Sequence, residues 1–329
     1  MHWYPWLNCS YRQILTQYIV NRGHHALLIQ SSSGMGSKSL IGAIARWLIC
    51  HQRKEIRSCG TCYSCRLMRA GNHPDVYHIE SEKSQNTIGI DSIRQVKDKL
   101  HHHASLGGAK IVCLLEAHQL TASAANALLK VIEEPPSNTW FFLYLRDFER
   151  LLDTLRSRCL LWKLSIPNKE LSLIWLRRQH SADLQKHNTA LRLSYGGPVK
   201  ALKLLSESCW RHRLKVCDAL SEAINGDLLS LLPVLHQNNV IKCIEWLCSL
   251  LVDAAKWTQG AVQFISNLDQ ESLVMRIAQW LPKHVLNESM HRWMMCRYRL
   301  LTISGINCEL LLIGQLLQWE YNITYQKDL

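Results

Sequence analysis

A buried strand that runs into a glycine turn and then into a helix is the feature that most restricts how this chain can fold. Residues 26–29 are the apolar stretch ALLI, Gly34 and Gly36 lie in the small-residue turn that follows, and a helical pattern begins after the turn. In such a turn the first backbone N–H groups of the helix point into one space and can cradle a phosphate. The alternative is an ordinary strand-to-helix turn, because glycine loops are common.

The rest of the first half repeats this alternation of strand and helix. Residues 110–115 (KIVCLL) and 139–145 (TWFFLYL) read as strands, and between them Thr121 can cap a helix that a Pro-Pro pair stops. Strands that alternate with helices in this way build a parallel sheet. We therefore predict an α/β domain of the phosphate-loop type over residues 1–166.

The second half of the chain lacks strand signals. Residues 167–208 read as three short helices, and long stretches such as 242–257 (KCIEWLCSLLVDAAKW) place apolar residues at helical spacing. We therefore predict a small helical domain at 167–208 and an all-α bundle at 209–329. No apolar run approaches the roughly 18 residues that a membrane helix needs, so we expect a cytoplasmic protein with no membrane partner.

The glycine turn departs from an ATP-hydrolysing loop in its side chains. In the usual pattern a lysine follows the last glycine and a Ser or Thr follows the lysine, whereas here Ser37 follows Gly36 and Lys38 stands in place of the hydroxyl. Charge on the β and γ phosphates then has no matched cation. A self-sufficient ATPase that uses Lys38-Ser39 as a loop shifted by one residue is the alternative, but one step along a helix turns the lysine by about 100°.

The end of the predicted 110–115 strand also departs from the pattern of an ATP-hydrolysing protein. Glu116 stands where an acid would hold magnesium, but Ala117 occupies the place of the residue that orients the attacking water. We therefore expect no hydrolysis of ATP. We expect at most weak binding of an anion through the amides of the loop.

Four cysteines in a C-x8-C-x2-C-x2-C arrangement form the strongest local motif, within residues 50–65. They are Cys50, Cys59, Cys62 and Cys65. Two-residue gaps let successive thiolates bind one ion, and four sulfurs close a tetrahedral site that leaves no position for water. We predict one structural zinc, with an iron–sulfur cluster or free thiols as alternatives. A zinc-based DNA reader lacks the recognition helix that should follow the cysteines.

An arginine pair precedes the apolar stretch at residues 160–164. Arg156 and Arg158 lie in LRSRC (155–159). An arginine at a helix-to-strand junction can project from the domain edge and supply charge to a phosphate that a neighbour holds. A solvated arginine is the alternative.

Two further features carry weaker signals. Lys and Arg number 38 against 26 Asp and Glu, a net charge of +12, which favours polyanions such as nucleic acid or reflects a basic surface without a function of its own. Three adjacent histidines, His101–His103, can bind metal in principle, but neighbours on a helix point in different directions, so we expect a solvated stretch.

Taken together, these segments resemble the delta prime subunits of bacterial DNA polymerase III clamp loaders, which are AAA+ proteins. The combination NALLK-x-x-EEPP followed by SRC is typical of clamp loaders, and the altered glycine loop is typical of delta prime. The resemblance also rests on YPWL (4–7), GHHALLIQ (23–30), the four-cysteine loop, HPD (73–75), LGGAKIVCLLEA (106–117) and GINCELLL (305–312).

The resemblance implies a three-domain subunit of a larger assembly. Residues 1–166 would be the AAA+ core, 167–208 the helical lid, and 209–329 the collar that joins ATPase gamma or tau subunits and delta in a five-subunit ring. In that family the ring opens the sliding clamp and places it on primed DNA, as part of the DNA polymerase holoenzyme, a nucleotidyltransferase. Delta prime is the rigid, stator-like member that does not hydrolyse ATP, and it works in the cytoplasm at replication forks of the nucleoid.

The resemblance also implies roles for particular residues. Arg158 would enter the ATP site of the adjacent subunit as an arginine finger, with Ser157 and Cys159 completing the motif, and zinc would bind the four cysteines. Two polar groups of working AAA+ proteins are replaced: the end of the 139–145 strand is Leu145, and the lid arginine expected after Gly-Gly is missing around residues 198–202.

Overall fold

A computed structural model of the chain divides it into two compact units, Met1–Asn168 and Lys169–Leu329. The structure describes residues 2–81, 87–146, 151–237, 239–303 and 305–325. Within them, no helix combines the length and the apolar character that crossing a bilayer requires.

The first unit is a five-stranded, fully parallel sheet with strand order β2-β3-β4-β1-β5. Its strands are β1 Ala26–Gln30, β2 Val76–Ile79, β3 Lys110–Leu114, β4 Thr139–Leu145 and β5 Leu160–Lys163. Its helices are α1 Asn8–Ile19, α2 Ser37–Ile49, α3 Tyr63–Ala70, α4 Ile90–His101, α5 Ala122–Glu133 and α6 Asp153–Ser157. The predicted α/β architecture is confirmed.

The three strands that the sequence predicts are the central ones, and β2 was missed. Strands β1, β3 and β4 are almost entirely buried, so they read as continuous apolar runs. Strand β2 has four residues, lies at an edge of the sheet and is only partly buried. An edge strand of this kind lacks the apolar run on which the prediction relied, whereas β5 coincides with the apolar stretch noted at 160–164.

Helices cover both faces of the sheet, and each face has its own core. Alternate residues of β1 serve the two sides: Ala26 and Leu28 belong to one apolar cluster, and Leu27 and Ile29 belong to the other. This period of two is what a strand buried on both faces requires. The strands from which the turns emerge are therefore held between two packed hydrophobic cores.

Helices make up the second unit in the part of the chain that the structure describes. They are α7 Lys169–Gln179, α8 Leu184–Leu193, α9 Pro198–Leu204, α10 Glu207–Ala223, α11 Leu232–His236, α12 Val240–Thr258, α13 Glu271–Trp280, α14 Lys283–Thr302 and α15 Cys308–Tyr325. One hydrophobic cluster includes residues from α8 and α9 as well as from α12 and α14. The boundaries at 166/167 and 208/209 stay predictions.

A buried polar network ties α10 to the loop before α13. Arg213, whose side chain is 0% exposed, donates from Nη1 and Nη2 to the two carboxylate oxygens of Asp269 at 2.7 and 2.9 Å, and from Nη2 to Asn267 Oδ1 at 2.8 Å. Asn267 Nδ2 in turn donates to Oδ2 of buried Asp253 on α12 at 2.7 Å. Several hydrogen bonds between buried polar groups of this kind favour one arrangement of the elements that carry them.

The same loop also holds a helix of the predicted lid. Arg192 on α8 donates to the carbonyl oxygens of Gln263, at 3.2 Å, and of Ile265. Gln185, near the start of α8, donates to the carbonyl of Leu268 at 2.7 Å. Residues 263–269 thus join α8, α10 and α12 through polar contacts as well as through the shared core.

Candidate functional site at the edges of the sheet

The glycine turn has the backbone conformation of a phosphate loop. Gly34 and Gly36 adopt φ values of +85° and +83°, and α2 begins at the next residue. A Cβ on Gly36 would lie 2.4 Å from the ring of Tyr4. That ring stacks on Trp6, whose indole N–H donates to the Met35 carbonyl at 2.8 Å. The N-terminal segment thus packs directly on the turn. Because of this contact and the positive φ, only glycine fits at position 36.

The side chains inside this loop are hydroxyls. Ser37 is buried, and its Oγ lies 2.5 Å from Oγ of Ser31. Lys38, one residue further along the helix, has an exposed side chain. The position from which a lysine would reach the β and γ phosphates therefore holds a serine bonded within the protein, which disfavours the shifted-loop ATPase.

Glu116 lies at the same edge of the sheet as the glycine turn. It follows β3, and the carboxyl ends of β1, β3 and β4 meet at one edge because their pairing is parallel. Its Oε2 is 3.6 Å from Nδ1 of His118, while Ala117 is buried in an apolar cluster. Leu145, at the end of β4, is fully buried. One carboxylate is thus left at an edge where hydrolysis also needs groups that hold water and charge.

The SRC segment is fixed by its backbone and by its flanking side chains. Ser157 Oγ donates to the Thr154 carbonyl at 2.9 Å, and the Arg158 N–H donates to the carbonyl of buried Leu155 at 3.3 Å. Cys159 packs against one of the two cores, and burial raises the pKa of its thiol to about 12. The cysteine is therefore an apolar anchor at neutral pH, and the arginine between the two anchors extends into solvent with 57% of its side chain exposed.

Arg158 and the glycine turn lie at opposite ends of the parallel strands: Arg158 is near their amino ends, and the turn is at their carboxyl ends. Arg158 precedes β5, whose Leu160 pairs with Leu27 near the start of β1, whereas the turn follows Gln30 at the end of β1. Three strand residues separate the levels of Leu27 and Gln30, a distance of about 10 Å, and both segments extend beyond those levels in opposite directions. Arg158 is therefore out of reach of the loop of its own chain.

The four predicted metal ligands come together in one cluster. Cys50 follows the end of α2, Cys62 precedes α3, Cys65 lies in its first turn, and all four sulfurs lie within 4.8 Å of one another. The Sγ atom of Cys59 is 3.5 Å from that of Cys50 and 3.9 Å from that of Cys65. A tetrahedron with Zn–S bonds of 2.3 Å has S···S edges of about 3.8 Å, so the cluster can hold a metal ion.

Backbone N–H groups around the cluster favour thiolates. The N–H of Cys62 lies 3.3 Å from Cys59 Sγ, and that of Cys59 lies 3.3 Å from Cys50 Sγ. Hydrogen bonds from Cys62 and Thr61 lower the pKa of the Cys59 thiol to about 6. Gly60, at φ +75°, allows the tight turn between these residues.

The loop between the first two cysteines has little apolar support. Residues 51–55 are all exposed, and a short bridge pairs Lys54 with Arg57. Two side chains from the domain hold its backbone: Tyr11 donates to the Ile56 carbonyl at 2.9 Å, and Trp47 donates to the Glu55 carbonyl at 2.7 Å. Such a loop gains much of its order from whatever links its cysteines.

The three adjacent histidines do not join a metal cluster. His101 ends α4, and all three side chains are exposed. Among the described residues, the four cysteines form the only group of three or more potential ligands close enough to share an ion.

One contact of the candidate site was missed by sequence reasoning. Arg158 Nε donates to Glu133 Oε1 at 3.0 Å, although the two residues are 25 positions apart. A signal was present, because Glu133 ends α5 and Glu134 caps it, at the end of the helix where the dipole disfavours negative charge. Acidic residues in that position indicate a nearby cation.

Three protein-family models match consecutive parts of the chain. The model described as "DNA polymerase III, delta subunit" matches residues 8–168. The model described as "DNA polymerase III subunit delta', AAA+ ATPase lid domain" matches residues 167–206, and "DNA polymerase III, delta subunit, C terminal" matches residues 207–321.

Two curated relatives with high identity carry the same name. A protein of Yersinia pestis named DNA polymerase III subunit delta' is 48% identical, and the match covers 97% of this chain and 96% of that protein. Its namesake from Escherichia coli (strain K12) is 44% identical, with 98% and 96% covered. The crystal structure of a DNA polymerase III gamma subunit-related protein from Thermotoga maritima matches with a TM-score of 0.51 at 20% identity, covering 94% of this chain and 99% of that one, which shows the shared fold.

The likeness extends over nearly the whole of this chain and of its relatives. The chain belongs to the delta' family of DNA polymerase III clamp-loader subunits.

Proposed function

We propose that this chain is an ATPase-silent, stator-like subunit that lends Arg158 to the ATP site of an adjacent loader subunit. The observation that carries the proposal is the placement of Arg158 at the edge of the sheet opposite its own glycine turn. An arginine so placed meets a phosphate only when a second subunit presents one. Ser157 and Cys159 hold the backbone on either side, so the guanidinium starts from a fixed point.

The chemistry of the arginine is electrostatic. As a phosphoryl group transfers, negative charge spreads over its oxygens, and a guanidinium at that place stabilises the transition state. Arginine suits the task because its planar fork of N–H groups matches phosphate oxygens and stays charged. Arginine fingers of GTPases raise the rate by about 10³ to 10⁵.

The chain's own loop is not expected to hydrolyse ATP. The hydroxyl pair of Ser31 and Ser37 takes the space of the lysine, Ala117 stands in place of a water-orienting residue, and Leu145 is apolar. The backbone of Gly34 and Gly36 retains its shape, so weak anion binding through amides is compatible with this role. Catalysis would then belong to the neighbour.

We assign structural zinc to the cluster of Cys50, Cys59, Cys62 and Cys65. The spacing of the four sulfurs suits a soft divalent ion, and backbone N–H donors stabilise the thiolates of Cys50 and Cys59. When bound, zinc would supply cross-links to a loop with little apolar packing, and the four sulfurs would leave no open position for catalysis.

We further propose that the helical C-terminal part, 209–329, is the collar through which the chain joins gamma or tau and delta subunits in a five-membered ring, within the polymerase holoenzyme at replication forks of the nucleoid. An exposed apolar stripe on α14, formed by Met294, Tyr298 and Leu301 at spacings of four and three residues, supports such a contact. The assembled ring would act on the sliding clamp and primed DNA.

The test is the Arg158→Ala variant in a loader reconstituted from purified subunits. ATP hydrolysis stimulated by clamp and primed DNA is expected to fall, while the ring still assembles in size-exclusion chromatography. Arg156→Ala is the matched control, since Arg156 is also partly exposed but pairs through its terminal nitrogen Nη2 with Asp153 at 2.9 Å. Equal rates for Arg158→Ala and the unmodified loader would refute the arginine role.

A further inference from the structure

We propose that Glu133 is a positioning residue for Arg158, holding the guanidinium by Nε so that its two terminal nitrogens face the neighbouring subunit. This inference rests on the proposed function and adds a second residue to it. Its starting point is the 3.0 Å hydrogen bond from Arg158 Nε to Glu133 Oε1, between side chains that are 57% and 40% exposed.

The geometry of this contact leaves the phosphate-binding part of the arginine unused. A guanidinium has five N–H donors in a planar fork, and Nε carries one of them. Arg158 bonds to Glu133 through Nε, and its Nη atoms donate to no acceptor among the residues that the structure describes. The carboxylate thus orients the plane of the fork and leaves four donors for a second ligand.

Both backbones of the pair are held in place, so the contact joins two fixed points. At the end of α5, His25 Nε2 donates to the carbonyl of Ile132 at 2.8 Å, and Ile132 itself is buried. At the SRC segment, the backbone N–H of Arg158 is bonded to Leu155. The arginine side chain is the flexible part, and ordering it in advance lowers the entropy lost when it meets a phosphate.

The position of Glu133 argues against an incidental surface pair. A carboxylate in the last turn of a helix is disfavoured by the helix dipole. Glu133 is the last residue of α5, and Glu134 follows it at the C-cap. The Arg158 guanidinium lies beside the first and compensates it. Glu134 is exposed and its side chain forms no ion pair within the described ranges, which makes it a matched control.

The expected effect is modest for an exposed pair and grows when a neighbour excludes water from it. In the reconstituted loader, Glu133→Ala is expected to lower the stimulated kcat by about 2- to 5-fold, less than Arg158→Ala does, with KM for ATP unchanged. Glu133→Gln keeps an acceptor oxygen and is expected to stay within about twofold of the unmodified loader. Glu134→Ala is expected to have no effect.

The experiment measures kcat, KM for ATP, ring assembly and thermal unfolding for Glu133→Ala, Glu133→Gln, Glu134→Ala, Arg158→Ala and the Glu133→Ala/Arg158→Ala double variant. Since Glu133 would act only through Arg158, the double variant is expected to match Arg158→Ala. Additive losses, an altered KM, a lower unfolding temperature, or a rate for Glu133→Ala at or above that of the unmodified loader would overturn the inference.

The outcomes separate this inference from the proposed function. If Arg158→Ala lowers the rate and Glu133→Ala does not, the arginine finger stands and the positioning role falls. If Arg158→Ala leaves the rate unchanged, the proposed function fails first, and the positioning role fails with it.

Discussion

Replacing Arg213 by methionine is expected to destabilise the second unit far more than an arginine on the same helix two residues away. Methionine keeps much of the side-chain volume but removes the charge and all the hydrogen bonds. Three bonds would be lost, two to Asp269 and one to Asn267, together with the contact of the guanidinium with the ring of Trp210, 4.8 Å from the ring centroid.

The size of the loss follows from the burial of the partners. Breaking a buried ion pair by removing one member costs about 3–5 kcal/mol, because the remaining charge stays unpaired. Asp269 retains 19% of its side-chain exposure, so water can partly solvate it, and we expect the lower end, about 3 kcal/mol. For a unit of this size that corresponds to a fall in Tm of about 6–12 °C.

Thermal unfolding of the full chain followed by circular dichroism measures this effect. Arg211→Met is the control: Arg211 lies on the same helix, its side chain is 66% exposed, and its pair with Glu207 is a surface contact, worth at most about 0.5 kcal/mol. A loss for Arg213→Met as small as that of the control would show that the network does not hold α10 to the 263–269 loop.

Three other predictions concern the metal site, pH and the glycine turn. Protein purified without added zinc should contain about one zinc per chain by metal analysis, and Cys59→Ser should lower this zinc content. Folded protein without bound metal would rule out the zinc assignment. Burial lowers the pKa of His187 in the folded state from its usual 6.5, so below pH 6.5 the unfolded state binds more protons than the folded state. The free energy of unfolding, measured by denaturant titration, should therefore fall as the pH is lowered from 6.5. In His187→Gln it should fall by less. Gly36→Ala should lower the free energy of unfolding by about 2–4 kcal/mol, because of the positive φ and the collision with Tyr4. Gly71→Ala, at φ +77° with open space around the Cβ position, should lower it by only about 1 kcal/mol. Equal losses would show that Tyr4 does not constrain the turn.

Local chemistry was enough to predict the elements around the site. Thr121 accepts a hydrogen bond from the Ala124 N–H at 3.2 Å and caps α5, and the helix ends at Glu133 before the Pro-Pro pair. Gly34 and Gly36 adopt positive φ. Caps, prolines and glycines act through the few residues on either side of them, so a single sequence reveals them.

Contacts between distant segments were beyond the reach of the sequence. The bonds of Arg158 to Glu133 and of Arg213 to Asp269 join residues 25 and 56 positions apart, and no short-range pattern specifies either pairing. The predicted assignment of Arg158 to a neighbour's site came from family resemblance, whereas its distance from its own loop emerges only once β1 and β5 are paired. The positions of these charged side chains depend on strand pairing and on packing between distant segments.

Steady-state ATP hydrolysis by the purified chain alone tests most directly whether its chemistry depends on a partner. We expect no phosphate release above background, with or without clamp and primed DNA, because Ser37 and Ala117 stand where a cation and a water-orienting group are needed. Sustained turnover by the isolated chain, abolished by a substitution at Lys38 or Glu116, would contradict that expectation and show that the loop is a complete active site.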